Sequence, residues 1–210
     1  LFHMKDTPYL DRLKAVGVAP EEVDFVMCTH LHIDHVGWNT QLKDGAWVPT
    51  FPNARYVWGR VETEHWVLSD RGLKAQPEAA ETLADSVNPI WERRLVDLVE
   101  DGEEVRPGLS MHMAAGHTAG QMQVRLRSRG ETAIFTADVL HQPMQVYRPT
   151  WNSRFCELQV VAVETRHLLL ADAAKSNAII CPAHFGAPHA GRIAKAPTRS
   201  GYRFIPLGAS

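Results

Sequence analysis

The chain has 210 residues, 45% hydrophobic and 22% charged, an ordinary globular composition that suits one domain over 1–210. Its formal net charge is −2 and its basic residues are spread thinly, which argues against a nucleic-acid partner. No apolar run approaches the roughly 20 residues needed to span a bilayer, so a membrane partner is not expected either.

In chain order, Pro8–Val16 has apolar positions at Leu10, Leu13 and Val16, a helical spacing that Gly17 ends. Val23–Thr29 is a short apolar run suited to a buried strand. Trp38–Asn53, with its glycine, prolines and tryptophans, predicts a loop, and Ala54–Trp58 a strand. Val61–Leu68, Glu78–Ser86 and Pro89–Leu98 predict helices, with Pro77 placed to start the second. Leu109–Ala114, Met122–Arg127 and Thr132–Thr136 read as strands punctuated by Gly116, Gly120 and Gly130. Phe155–Ala174 is the longest helical pattern; Asn177–Cys181 and Tyr202–Ile205 are further strands. The stretch from Arg192 to Arg203 holds four basic residues among apolar ones and reads as a tail with a solvated face. Strands and helices are mixed throughout, which predicts one α/β (α+β) domain.

The three cysteines, Cys28, Cys156 and Cys181, are far apart and odd in number. Neither a disulfide framework nor a paired-cysteine zinc site fits them. Free thiols favour a reducing compartment, and a cytoplasmic placement is the expectation.

The informative segment is His30-Leu31-His32-Ile33-Asp34-His35, four ligand-capable residues within six. In extended chain, residues i and i+2 point the same way, so His30 and His32 can converge on one ion. Gly37 then allows a turn that brings Asp34 and His35 beside them, facing a second ion. Imidazole and carboxylate donors suit zinc, and also iron or manganese. Three further metal-capable residues follow apolar runs: His117 after Leu109–Ala114, Asp138 after Thr132–Thr136, and His184 after Asn177–Cys181.

The segments THLHIDHVG, AGHTAG, FTADVL and PAHF resemble, in order, the metal motifs of the metallo-β-lactamase-fold hydrolases, from Thr29 to Phe185, about three-quarters of the chain. The resemblance implies an αββα sandwich that is short at its N-terminus. It implies further strands ahead of Pro8–Val16, which this sequence lacks, and therefore an exposed sheet edge or apolar face. It implies a centre of two divalent ions, with His30, His32 and His117 holding one, Asp34, His35 and His184 the other, and Asp138 bridging. A bridging hydroxide would attack a small ester-like substrate, with Asp34 or Asp138 helping to move a proton to the leaving group.

Thr29, Thr118 and His141 are candidates to fix the imidazole tautomers. His141 lies three residues beyond Asp138 and is also a candidate catalytic group; lactonases of this resemblance commonly carry a tyrosine there. Trp38, Trp151 and Asn152 are candidate substrate-pocket residues, and Asn39, Trp47, Phe51 and Phe155 cluster with them after ligand motifs. The expected partners are a small-molecule substrate and a second copy of the chain. A lactone is the first expectation for the substrate. The wider group also includes organophosphate triesterases, aromatic hydrolytic dehalogenases and glyoxalase II-like thioesterases. Nucleic-acid processing, a non-catalytic metal-binding fragment and an iron redox role are the readings of other classes.

Overall fold

Tyr56, Val57 and Trp58 are consecutive and almost wholly buried, which marks a strand covered on both faces. They belong to β4 (Arg55–Gly59), the middle strand of a parallel sheet ordered β1-β4-β5, with β1 at Phe25–Cys28 and β5 at Val96–Val99. The computed structural model describes Lys5 and residues 7–208. It divides into two compact units, Leu1–Val99 and Glu100–Ser210.

In the first unit, α1 (Tyr9–Ala15) precedes β1, and α2 (Ile33–Val36) follows it. A hairpin of β2 (Thr40–Lys43) and β3 (Ala46–Pro49) comes next. After β4 come α3 (Arg60–Trp66), α4 (Arg71–Ala75), α5 (Ala80–Thr82), a π turn over Leu83–Val87, and α6 (Asn88–Glu92). Their apolar faces meet the sheet in a core of Leu31, Val36, Tyr56, Trp58, Trp66 and Ile90. The Tyr56 hydroxyl donates to the Asn39 carbonyl at 2.9 Å, and burial pushes its pKa up to about 12. In the same way, burial pushes the Cys28 thiol up to about 11. β1 stands at one edge of the sheet.

The second unit is built on a seven-stranded sheet. Its strands are β6 (Glu104–Arg106), β7 (Leu109–Met113), β8 (Met122–Ser128), β9 (Glu131–Ala137), β10 (Ile179–Pro182), β11 (Gly191–Lys195) and β12 (Tyr202–Pro206). They run in the order β12-β11-β10-β9-β8-β7-β6. The short α7 (Met144–Tyr147) and the long α8 (Gln159–Ser176) complete it. Leu169, Leu170 and Ala173 of α8 pack with Ile134, Ile180 and Ile193 of the sheet. Asn177, in the left-handed region at φ 54°, ends α8. Among the described residues, no helix is long and apolar enough to cross a membrane.

Four expectations from sequence need correction. Trp38–Asn53 is no plain loop, because it contains the β2–β3 hairpin. Asp44 and Gly45 form its tip at φ 51° and 78°, the positive values that an Asp-Gly hairpin turn uses. Pro89–Leu98 is not one helix. Arg94 breaks it at φ 56°, and Val96–Val99 instead satisfies its backbone beside β4, where Arg55 donates from Nε to Asp97 at 3.1 Å. The long helix begins at Gln159 rather than Phe155, since the Glu157 and Leu158 N–H groups donate instead to the carbonyls of His117 and Gly116. The basic stretch from Arg192 is not a tail, because β11 lies between β10 and β12 with Ile193 in the core.

Candidate metal centre

In the first unit, β1 delivers the chain into Thr29–His32, which stays extended until α2 begins. His32 is at φ −72°, ψ 157°, and the His35 N–H donates to its carbonyl at 3.0 Å. This one tight turn gathers the imidazoles. The His30 ring centroid lies 4.8 Å from that of His32 and 4.1 Å from that of His35. The Asp34 carboxylate reaches to 3.6 Å of His35 Nε2.

Several groups hold this cluster. The Thr29 hydroxyl lies 3.2 Å from His30 Nδ1, so the candidate tautomer-fixing threonine does meet its histidine. The buried Glu62 carboxylate on α3 accepts the Leu31 N–H at 3.0 Å, between the two leading histidines. Gln76 contacts His32 Nε2 at 3.3 Å, and the Trp66 ring stands edge-on to His32 at 5.7 Å. Gly72 is required beneath Trp66, where a Cβ would come within 2.3 Å of the indole.

A cavity of about 650 Å³ opens beside the cluster, lined by Ile33, Asp34, His35, Trp38, Trp47 and Phe51 among others. The Trp38 indole N–H donates to the Thr7 hydroxyl at 3.2 Å, and its ring stacks at a tilt on Tyr9.

In the second unit the topology explains the second cluster. β7 and β9 are both antiparallel to β8, and β10 is parallel to β9. The C-terminal ends of β7, β9 and β10 therefore share one sheet edge. His117, Asp138 and His184 each follow one of those ends. Ala137, at φ 47°, turns the chain so that Asp138 faces inward. The Asp138 Oδ2 oxygen lies 3.4 Å from His117 Nε2, 3.2 Å from His141 Nε2 and 3.0 Å from His184 Nε2. His141 and His184 are stacked, with ring planes 5° apart. Asp138 and His117 are each 3% exposed.

A carboxylate oxygen has about two lone pairs, too few for three N–H donors at once. Convergence of three imidazole nitrogens on it is instead the donor pattern that holds a divalent cation. Ligand atoms of His117, Asp138 and His141 all lie within 4.8 Å of one another. The residues present therefore fit a bound metal.

The loop that carries Asp138 and His141 is tied down from α8. Arg166 is fully buried, and burial lowers its pKa. It donates to the carbonyls of Val139 at 2.9 Å, Pro149 at 2.5 Å and Trp151 at 3.2 Å, and to Asn152 Oδ1 at 3.1 Å. Asn152 also donates to the Gln159 carbonyl at 2.7 Å, so this candidate pocket residue is engaged with α8 and Arg166. Trp151 presents an exposed ring. Thr118, wholly buried, accepts the Gly116 N–H through its carbonyl at 2.9 Å. Behind His117, the Cys156 sulfur lies 3.7 Å from Nδ1, and burial pushes this thiol's pKa up.

Sequence reasoning did not find Glu62, Gln76, Cys156 or Arg166. Their roles arise from contacts 14 to 44 residues away along the chain. A charged residue within the apolar pattern of α8 was the one local signal, at Arg166.

The model of the metallo-beta-lactamase superfamily matches residues 3–184. An N-acyl homoserine lactonase, AttM, of Rhizobium johnstonii is 38% identical over 66 residues, 31% of this chain and 22% of that protein. The chain thus matches about a fifth of the length of this curated relative. Among solved structures, the hydrolase AbOPH of the beta lactamase superfamily superposes with a TM-score of 0.84 at 28% identity, over 97% of this chain and 70% of that one. AidC, a dizinc quorum-quenching lactonase solved with a product, N-hexanoyl-homoserine, superposes with a TM-score of 0.80 at 21% identity, over 99% and 72%. The latter likeness concerns the fold.

Proposed function

The chain belongs to the metallo-beta-lactamase superfamily, and from that premise we propose that it is a dinuclear metal-dependent hydrolase of small ester-like molecules, with lactones favoured. The observation that carries this reading is the gathering of His117, His141 and His184 around one oxygen of the buried Asp138. The His30–His35 cluster supplies a second set of donors.

In this proposal His30, His32 and His117 hold one ion, Asp34, His35 and His184 hold the other, and Asp138 is shared. Zinc suits the donor set best, with iron and manganese as the other candidates. When bound, a pair of such ions lowers the pKa of a captured water toward about 7 and polarises a substrate oxygen.

The chain's own groups do the rest. The Thr29 contact at His30 Nδ1 orients that ring so that Nε2 faces the centre. Glu62 fixes the backbone between His30 and His32. In this reading Asp34, exposed and one residue from His35, carries a proton to the leaving group. His141, stacked on His184, in the same reading donates a hydrogen bond to the substrate oxygen. Trp38 gives the adjoining cavity an apolar wall, and Trp151 offers an apolar ring to an acyl group.

Lactones are favoured because the N-acyl homoserine lactonase relative aligns on 31% of this chain. The likeness to AbOPH makes phosphotriesters the second substrate class to test. The test is a panel of acyl-homoserine lactones, phosphotriesters, thioesters and chlorinated aromatics, assayed on metal-loaded protein. Lactone opening that is abolished by a chelator and restored by zinc is the expected result. Turnover confined to another class would reassign the substrate, and no metal-dependent turnover at all would reject the hydrolase reading.

A further inference from the structure

Resting on the metal-centre reading above, we propose that Cys156 is a positioning residue for His117, its sulfur receiving the Nδ1–H hydrogen bond that leaves Nε2 to face the ion. Neutral imidazole carries its proton on one nitrogen and its donor lone pair on the other. His117 Nε2 is the nitrogen turned toward Asp138, at 3.4 Å. The ring can offer a lone pair there when the proton is on Nδ1, and Cys156 Sγ stands 3.7 Å from Nδ1, within reach of a sulfur hydrogen bond.

The pairing is built into the backbone. The Glu157 N–H donates to the His117 carbonyl at 2.9 Å, and the Leu158 N–H donates to the Gly116 carbonyl at 2.9 Å. These two bonds bind the segments of Cys156 and His117 to each other. Gly116 lies so close to α8 that a Cβ would come 2.4 Å from Ala162 Cα, which leaves the pair little room to part. Cys156 is 4% exposed, so water is poorly placed to take over from the sulfur. Its backbone is held as well: the N–H donates to Ser153 and the carbonyl accepts from Gln159 Nε2 at 2.6 Å.

Sulfur accepts hydrogen bonds weakly. A serine hydroxyl keeps the acceptor, whereas alanine and valine remove it. Loss of a partner on the far nitrogen of a metal-bound histidine commonly costs about 10- to 100-fold in metal affinity.

The experiment is zinc titration of the metal-free 210-residue chain against a chromophoric chelator, with the cobalt(II) ligand-field spectrum as a second readout. Wild type, Cys156→Ser and Cys156→Ala are compared. The expected result is a loss of about tenfold or more in the affinity of one ion for Cys156→Ala, with shifted cobalt bands. Cys156→Ser should stay within about threefold of wild type. If Cys156→Ala loses its fold by circular dichroism, Cys156→Val, which fills the space without an acceptor, replaces it in the comparison. Wild-type affinity and unshifted bands in the alanine or valine variant would overturn the proposal alone. A wild-type chain that takes up no ion would overturn the metal-centre reading and this proposal with it.

Discussion

Arg166 donates from Nε to the carbonyl of Val139 at 2.9 Å, one residue beyond Asp138. The buried guanidinium is met by three backbone carbonyls and the side-chain oxygen of Asn152. One cation in α8 thereby sets the path of the loop that carries Asp138 and His141. Arg166→Ala should leave several of those acceptors unsatisfied, at about 1–3 kcal/mol each. Urea denaturation should show a loss of about 3 kcal/mol or more. Arg166→Lys should recover part of it, because an ammonium cannot present the same planar fork.

Gly116→Ala brings a methyl against the α8 backbone, with a Cβ 2.4 Å from Ala162 Cα at a φ of 134° that L side chains rarely adopt. Overpacking and backbone strain together should cost about 3 kcal/mol or more. A thermal melt of the variant should show a clear drop. A melting temperature equal to wild type would mean that α8 is free to move away from the His117 turn.

Asp138→Ala should reduce bound metal and turnover together, because the carboxylate is the point at which His117, His141 and His184 meet. Asp138→Asn keeps the shape without the charge and should also lose metal, though with a smaller change in melting temperature. Full turnover without this carboxylate would reject its role as the shared ligand.

Tyr56 supplies a pH prediction. Burial raises its hydroxyl from the usual 10.0 to about 12. The folded chain keeps that proton after the unfolded chain has begun to lose it. Its stabilising contribution is therefore fully present below pH 10 and declines as pH rises toward 12. Tyr56→Phe should flatten this alkaline slope. It should also cost about 1 kcal/mol at neutral pH through the lost bond to Asn39. Equilibrium unfolding across alkaline pH measures both effects.

The candidate donors His30, His32, Asp34 and His35 stood out in sequence because they are crowded into one short segment beyond a strand, and the structure brings the rings of His32 and His35 to 4.8 and 4.1 Å from that of His30. His117, Asp138 and His184 were legible by another route, each lying just past an apolar run. The order β10-β9-β8-β7 supplies the reason that such positions meet. What escaped was long-range. Nothing local to Glu62 announces that it will hold Leu31, and nothing around Cys156 in the sequence points to His117, 39 residues away. The β2–β3 hairpin was missed although Asp44-Gly45 carried its signal, because the surrounding tryptophans and prolines obscured the alternation. The apparent helix over Pro89–Leu98 failed because pairing with β4 outweighed helical spacing at Leu95 and Leu98.

The most direct measurement is elemental analysis of the purified chain after zinc loading and gel filtration, beside Asp138→Ala. A dinuclear centre predicts about two zinc ions per chain in wild type and fewer than one in the variant. Wild type that retains no stoichiometric metal, or a variant that retains both ions, would contradict it.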